Sequence, residues 1–157
     1  MQHEMTPRSV AHSTFVIERQ FSAPVARVFA AWSDPVKKRR WSSCHDDWRA
    51  LEYRLDFRVD GTEVSQVMRP DGVIHGVNGR FLDIVPGERI VYVYDMTVGE
   101  ARISVSLVTV LFTPMGAKAH MTFTEQVAFL DGHADAEERR EGTEIGLARI
   151  DEELATG

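Results

Sequence analysis

The sequence predicts an α+β fold in which a curved antiparallel sheet of seven strands wraps around one long C-terminal helix. Three observations predict it: two short helical segments early in the chain, a series of hairpin-linked strands, and one amphipathic helix at the end. A sheet and a helix bury their apolar faces against each other, and a curved sheet leaves a cavity between the two. The order of elements therefore indicates a container for a small apolar molecule.

The first elements are a strand and two short helices. Residues Ser13–Phe21 alternate in character as a strand does, and Ser22 is a favourable N-cap for a helix over 25–32. An Asp-Pro pair at 34–35 ends this helix and caps a second one over Val36–Trp41. The four bases at 37–40 on this second helix are interpreted as a solvated helix end.

Six further strands complete the predicted sheet, because alternating runs are separated by Asp-Gly, Pro-Asp-Gly and Pro-Gly turn signals. Glycine supplies the positive φ that tight hairpin turns require. The predicted strands are Ala50–Val59, Thr62–Arg69, Val73–Val85, Arg89–Asp95, Arg102–Thr113 and Lys118–Val127.

The last element is an amphipathic helix over Ala134–Ala155. Its apolar stripe recurs at helical spacing and contains Gly146, with Gly142 one turn earlier on nearly the same face. Each glycine inside a helix costs roughly 1 kcal/mol relative to alanine. Two alternatives stay open: both glycines are tolerated near a frayed helix start, or they shape the cavity by leaving volume empty.

Length and composition predict one domain over residues 13–157, preceded by a disordered tail over residues 1–12. The longest apolar runs are far shorter than the roughly 20 residues of a membrane span, and the N-terminus has no apolar signal core. Cys44 is the only cysteine and forms no internal disulfide. We therefore expect a cytoplasmic protein that does not insert into a membrane.

The net charge of −6 belongs to the C-terminal helix and the segment before it. Between Asp131 and Glu153 there are nine acidic and three basic residues, so the rest of the chain is neutral. An acidic helix repels phosphate backbones, and the bases at 37–40 lack an aromatic-interleaved groove. Nucleic acid is therefore not an expected partner.

Several stretches resemble the START-like (helix-grip) superfamily, also called SRPBCC, and within it the branch named after the activator of heat-shock-protein ATPase. They are FVIERQFSAPVARVFAAWSDP, FRVDGTEVSQVMRPDGVIHGVNGRFLDIVPGERIVYVY, and TFTEQVAFLDG leading to REGTEIGLARI. The resemblance extends from Phe15 to Leu154 and implies the helix-grip fold, with a deep, mainly apolar cavity between sheet and helix. Ligands and activities vary widely among such proteins.

The sequence departs from the family pattern at three places. The family usually has two glycines where this chain has Asp60-Gly61, a Gly-Thr pair is replaced around Gly116–Ala119, and a bulky apolar residue is expected in place of Gly146. The co-chaperone that gave the branch its name carries an N-terminal domain with a basic motif that this sequence does not contain. The resemblance therefore does not imply activation of a chaperone ATPase.

Charged residues on the strands indicate where polar groups enter the cavity. Alternation groups Arg80 and Leu82 on one face of their strand, and the family pattern makes that face the inner one. Glu125 likewise shares a face with Met121 and Phe123. An inward charge must be paired, bind the polar end of a ligand, or lie at the cavity mouth, because an unpaired buried charge costs several kcal/mol.

Other residues supply candidate chemistry without a complete catalytic set. His75 is a candidate because the unperturbed pKa of histidine, about 6.5, suits acid–base work, but a histidine among valines is also a common core residue. The tyrosine hydroxyls are equally consistent with packing or with ligand contact. The candidate cavity residues are His75, Arg80, Leu82, Tyr92, Tyr94, Ser104, Ser106, Met121, Phe123, Glu125, Gly142 and Gly146.

Metal and cofactor chemistry have little support. The run Cys44-His45-Asp46-Asp47 offers a nucleophile or ligands, but adjacent loop residues point apart and no second cluster has usable spacing. His133 and Asp135 supply one further pair only through an unpredicted tertiary approach. There is no phosphate loop, dinucleotide motif or nucleophile elbow. We expect no metal, no cofactor and no assigned catalytic residue.

Three hypotheses about function follow. The first is a module that binds a small apolar or aromatic molecule between the sheet and the C-terminal helix. The second is an enzyme of the cyclase, aromatase or hydrolase kind, since the family resemblance includes such relatives. The third is an interaction protein that uses the outer sheet face or the acidic helix, with a homodimer as its simplest form.

Overall fold

The computed structural model describes residues 8–42 and 47–156 and has the predicted order of elements. Two short helices separate the first strand from the other six, and the chain ends in a helix. The elements are β1 Val10–Phe21, α1 Val25–Ser33, α2 Pro35–Ser42, β2 Arg49–Leu55, β3 Thr62–Met68, β4 Ile74–Val85, β5 Arg89–Val98, β6 Ala101–Met115, β7 Lys118–Leu130, α3 Ala136–Ala148 and α4 Ile150–Thr156.

The sheet is a single seven-stranded antiparallel sheet with the order β1-β7-β6-β5-β4-β3-β2. Strands β2 to β7 follow one another as hairpins, whereas β1 pairs with β7 from Val10 opposite Leu130 to Phe21 opposite Ala119. Because β7 extends to Leu130, residues 10–12 find partners and belong to the sheet. The predicted tail over 1–12 is therefore wrong at its end, and residues 1–7 of it lie outside the described residues.

The helix starts depend on residues that the sequence identified only in part. The predicted N-cap Ser22 is wrong, because the extended residue Pro24 precedes α1 and its carbonyl accepts from the backbone N–H groups of Arg27 and Val28. Asp34 caps α2 as predicted, since its carboxylate accepts from the backbone N–H of Val36 at 2.9 Å.

The C-terminal helix runs from Ala136 to Thr156 with one tightened turn at Arg149, which divides it into α3 and α4. Arg149 keeps a helical conformation, and its backbone N–H donates to the carbonyls of Ile145 and Gly146. The helix begins two residues later than predicted because Asp135 is its N-cap, accepting from the N–H of Glu138 at 3.0 Å. Within the described residues, no helix is long and apolar enough to cross a bilayer.

The packed core lies between the sheet and the helices α1 and α4. Inward residues of β1, β6 and β7 pack against Val28 and Trp32 of α1. Leu147 and Ile150 of the C-terminal helix pack in the same cluster. Alternation of buried and exposed residues along β6 and β7 puts every second side chain into this core. Towards α3 the helix stripe becomes glycine and threonine, so the core gives way to a cavity.

Candidate functional site

A cavity of about 620 Å³ lies between the inner face of the sheet and the helices α2 and α3. This volume falls in the range of roughly 300–1,000 Å³ that is typical of small-molecule sites. Aromatic side chains from every layer of the fold form much of its wall. They are Trp32, Trp41, Trp48, Tyr53, Tyr92, Tyr94, Phe123 and Phe129.

The first polar group on the wall is the Arg139 cluster, formed by Tyr94, Ser104, Ser106, Glu125 and Arg139. One carboxylate oxygen of Glu125 accepts from the hydroxyl of Tyr94 at 2.6 Å and from that of Ser106 at 2.7 Å. The guanidinium of Arg139 lies 3.2 Å from the same oxygen and donates to Ser104 at 2.7 Å. Glu125 is 1% exposed, so its charge depends on these partners.

Strand and helix geometry explain why the Arg139 cluster converges. Glu125 is an inward position of β7, directly opposite Val108 of β6 and next to the inward Ser106. Arg139 lies on α3 and reaches the sheet across the rings of Tyr94 and Phe129, at 5.9 and 5.3 Å from their centroids. Burial, and then the negative charge of Glu125, raises the pKa of Tyr94, so this residue stays a neutral phenol that donates.

The second polar group is the Lys38 cluster, formed by Lys38, Tyr53 and Glu63. The ammonium of Lys38 lies 2.7 Å from one carboxylate oxygen of Glu63, and the hydroxyl of Tyr53 donates to the same oxygen at 2.6 Å. Burial and the charge of Glu63 raise the pKa of Tyr53. The rings of Trp32 and Trp41 lie 5.5 and 5.3 Å from the ammonium.

Sequence reasoning missed the Lys38 cluster. The bases at 37–40 were predicted to be one solvated helix end, which is wrong for Lys38, since only 8% of its side chain is exposed. The helix turns Lys38 and Trp41, three residues apart, to the same inner side, and the indole of Trp41 is fixed by donating to the carbonyl of Ala31 at 2.7 Å. That spacing is the signal that could have identified it.

His75 of β4 and Tyr92 of β5 also line the cavity wall. The ring of Tyr92 is 6.3 Å from Tyr94 and 6.4 Å from Trp32, and burial raises its pKa well above the usual value. His75 contacts the ring of Trp48 edge-on, with centroids 4.6 Å apart. Both residues therefore contribute to an aromatic surface that also carries polar atoms.

Two predicted cavity residues, Arg80 and Leu82, are not in the cavity. Arg80 pairs with Asp60 at 2.9 Å on the surface, and Leu82 is 41% exposed, whereas Phe81 is 3% exposed and faces the core. The prediction had grouped both residues with Ile84 by strict alternation, and a β-bulge breaks that alternation. Phe81 pairs with Tyr92 and Asp83 with Val91, so Leu82 is an extra residue, and Ile84 packs on the core as Phe81 does. The family pattern had suggested the opposite face for this part of the strand.

The other predicted residues lie on the inner side of the sheet or on α3. Ser104 and Ser106 are buried as partners within the Arg139 cluster, and Met121 is fully buried in the core. A Cβ added at Gly142 would meet no atom within 4 Å, so this glycine borders open volume. A Cβ at Gly146 would lie 3.6 Å from the carbonyl of Trp41, in ordinary contact distance.

The rim of the cavity is acidic. Asp135, Glu138 and Glu141 of the α3 segment line it, together with His133. Backbone hydrogen bonding at the helix start lowers the pKa of Asp135, so that this carboxylate stays charged. Among residues 8–42 and 47–156, no group of three His, Cys, Asp or Glu side chains is arranged to hold a metal ion. Residues 44–46 of the Cys44–Asp47 run lie outside the described residues.

Comparison with known proteins identifies one family and several solved structures that match most of the chain. A family model described as Activator of Hsp90 ATPase homolog 1-like protein matches residues 22–156. A protein of Rhizobium leguminosarum is 51% identical, with a TM-score of 0.92 over 97% of this chain and 100% of that one. A protein of Rhizobium loti is 43% identical, with a TM-score of 0.86 over 92% and 99%.

More distant structures show the same fold. An AHSA1-like protein of Aeromonas hydrophila is 19% identical, with a TM-score of 0.63 over 87% of this chain and 88% of that one. No curated protein matches the chain. These comparisons establish the architecture of the chain.

Proposed function

This chain belongs to the family of Activator of Hsp90 ATPase homolog 1-like proteins, and on that premise we propose that it binds an uncharged, aromatic small molecule. The observation that carries the proposal is the cavity of about 620 Å³, in which the deep charged side chains are already paired with each other. Such a site offers apolar contact and hydrogen bonds, and among the described residues its deep charges, Lys38, Glu63, Glu125 and Arg139, each have a counter-charge.

The aromatic wall supports an aromatic ligand. Indole, phenol and phenyl rings of three strands, two helices and the segment before β2 face one volume, and several contact each other edge-on or tilted. Ring pairs of this kind are worth about 0.5–1.5 kcal/mol beyond the area that they bury. A planar ligand packed against the cavity side of Trp32, Tyr92 and Phe123, which already contact each other, would extend an aromatic packing that the protein already has.

The electrostatics support an uncharged ligand. A charged ligand would have to break the Glu125–Arg139 or Lys38–Glu63 pair, or bring its own charge into the cavity unpaired, and both are costly. The acidic rim formed by Asp135, Glu138 and Glu141 repels anions in addition. Neutral molecules with hydroxyl or carbonyl groups avoid both penalties.

A binding titration with two dyes tests the proposal. Nile red is neutral and 1-anilinonaphthalene-8-sulfonate is anionic, and all three tryptophans of the chain line the cavity as reporters. We expect saturable binding of Nile red with quenching of tryptophan fluorescence, and binding of the sulfonate at least about tenfold weaker, which is about 1.4 kcal/mol. Native mass spectrometry of the purified protein checks for a co-purifying apolar compound.

A matched pair of helix variants locates the binding. Gly142→Phe places a ring where a Cβ meets open space, so it should reduce Nile red affinity by at least about tenfold. Glu137→Phe adds the same ring to an exposed position of α3 and should leave the affinity unchanged. Equal affinity of both variants would contradict binding in this cavity.

An enzyme acting in the same cavity is less well supported. That hypothesis required His75, Glu125, Arg80 or a tyrosine to converge around a substrate. Glu125 and Tyr94 do meet, but Glu125 is held by three donors on one oxygen, and Arg80 is on the surface. The arrangement therefore favours binding over general acid–base catalysis at the Arg139 cluster.

A further inference from the structure

We propose that Lys38 is a nucleophilic amine that captures aromatic aldehydes as a covalent imine, assisted by Glu63 and Tyr53. The inference relies on the proposed function only in that the aldehyde enters through the same cavity. The reactive group belongs to the Lys38 cluster and not to the Arg139 cluster. For ligand binding, the Lys38 cluster serves only as a part of the wall whose two charges are paired.

The position of Lys38 meets the first requirement of such a site, which is access from the cavity alone. Its ammonium belongs to a side chain that is 8% exposed, and the residue lines the cavity wall. A small molecule can therefore reach the amine only after it has entered the aromatic volume. Lys37, its neighbour on α2, does not line the cavity, although it has the same chemistry.

The surroundings of Lys38 meet the second requirement, which is a proton acceptor for the amine. An ammonium is not a nucleophile, and Glu63 lies 2.7 Å away to take its proton. The rings of Trp32 and Trp41 beside the ammonium provide flat surfaces for an aromatic aldehyde.

Tyr53 meets the third requirement, which is a proton donor for the carbonyl oxygen. Its hydroxyl is bound to the same oxygen of Glu63 that contacts Lys38, so one carboxylate links the base and the acid. Burial and the charge of Glu63 raise the pKa of Tyr53, so its hydroxyl stays protonated and can donate a hydrogen bond to the carbonyl oxygen. Donor, base and nucleophile thus form a chain of two short hydrogen bonds.

The reaction balances without a further reactant. Lys38 passes a proton to Glu63, the amine nitrogen forms a bond to the carbonyl carbon, and the oxygen takes a proton from Tyr53, which regains one from Glu63. The resulting carbinolamine loses its hydroxyl with one proton as water, and the nitrogen forms a double bond to carbon. The products are a protonated imine and one water molecule.

Reductive trapping tests this proposal on the complete chain. The protein is incubated with 2-naphthaldehyde and sodium cyanoborohydride, which reduces an imine to a stable amine, and the modified peptides are mapped by mass spectrometry. The chain has three lysines, Lys37, Lys38 and Lys118, so the two others are internal controls. We expect Lys38 to be labelled at least about tenfold more than either control.

Variants separate reactivity from folding. Lys38→Arg keeps a cation beside Glu63 and should abolish the labelling, whereas Lys37→Arg should leave it unchanged. Equal labelling of Lys37, Lys38 and Lys118 in the wild-type protein would overturn the proposal without any variant.

A competition measurement distinguishes the two proposals. If 2-naphthaldehyde displaces Nile red but leaves Lys38 unlabelled, the capture proposal is wrong and the binding proposal stands. If Lys38 is labelled selectively while Nile red does not bind, the amine is reactive and the proposed ligand class is wrong. Absence of both selective labelling and binding overturns both.

Discussion

The guanidinium of Arg139 lies 3.2 Å from the carboxylate of Glu125, so an ion pair joins the helix that covers the cavity to the inner face of the sheet. The stripe of α3 has glycine and threonine at positions 142 and 143, where other helices have apolar side chains. Arg139 therefore attaches the first half of α3 to the sheet through Glu125 and Ser104.

We predict that removing one partner of this pair is costly. Arg139→Met should lower the free energy of unfolding by about 3–5 kcal/mol, because it leaves Glu125 buried without its counter-charge. Urea denaturation measures this change. The double variant with Glu125→Gln should recover most of the loss, since no buried charge is then unpaired. Arg140→Met, which breaks an exposed pair with Glu144, should cost less than about 1 kcal/mol.

All three tyrosines of the chain should resist ionisation in the folded protein. Burial raises the pKa of Tyr53, Tyr92 and Tyr94 above the value of about 10 that they have in the unfolded chain. The tyrosinate absorbance should therefore stay low at about pH 11 and rise only together with loss of the far-ultraviolet circular dichroism signal. A tyrosinate signal at about pH 10 with intact secondary structure would contradict this prediction.

The same shifts set the sign of alkaline stability. The folded protein holds tyrosine protons that the unfolded chain releases above about pH 10. The contribution of the tyrosines to the free energy of unfolding is therefore constant below that pH and falls above it. Each proton contributes a slope of about 1.4 kcal/mol per pH unit once the unfolded tyrosine is ionised. Urea midpoints measured between about pH 8 and 11 check the direction.

Two glycines should respond oppositely to alanine. At Gly61 a Cβ would lie 2.1 Å from the carbonyl oxygen of Asp56, which is backbone and cannot move freely, so Gly61→Ala should destabilise by well over about 1 kcal/mol. At Gly142 a Cβ meets open space inside a helix, so Gly142→Ala should stabilise by up to about 1 kcal/mol. Thermal unfolding of the two variants side by side measures the contrast.

Phe81 lies in the core and Leu82 on the surface, which is opposite to the faces predicted from the sequence. Phe81→Ala should cost about 3–5 kcal/mol because the ring is buried against Phe57 and Tyr92. Leu82→Ala, at the exposed extra residue, should cost less than about 1 kcal/mol. Denaturant midpoints decide between the two faces, and a larger loss for Leu82→Ala would show that the register is wrong.

Much of the fold was predictable because the local signals agree with each other. Regular alternation from Ala119 to Glu125 places four inward residues of β7, and the Asp-Gly and Pro-Asp-Gly turns fix the hairpins. The face of Leu82 was not predictable, because a bulge changes the alternation and one sequence contains no signal for it.

The cavity wall was predictable only where it is formed by strands. Glu125 was expected to need a partner, but the partner Arg139 was not identified, although it lies four residues before Thr143 and seven before Gly146 on the helix stripe. The burial of Lys38 was not predicted, because it is one of four consecutive bases and charge alone does not show which side chain points inward. The two ion pairs join residues that are 25 and 14 positions apart and lie on different elements. Local sequence patterns do not identify such pairs.

The pairing of β1 with β7 has a consequence for biosynthesis. A ribosome adds about 5–20 residues per second, so roughly 5–20 s pass between completion of β1 at Phe21 and arrival of β7 at Lys118. During that time Phe15 and Ile17, which end up buried, have no native neighbour strand. The hairpins from β2 onward can form as they emerge, whereas the first strand depends on the last one for protection from aggregation.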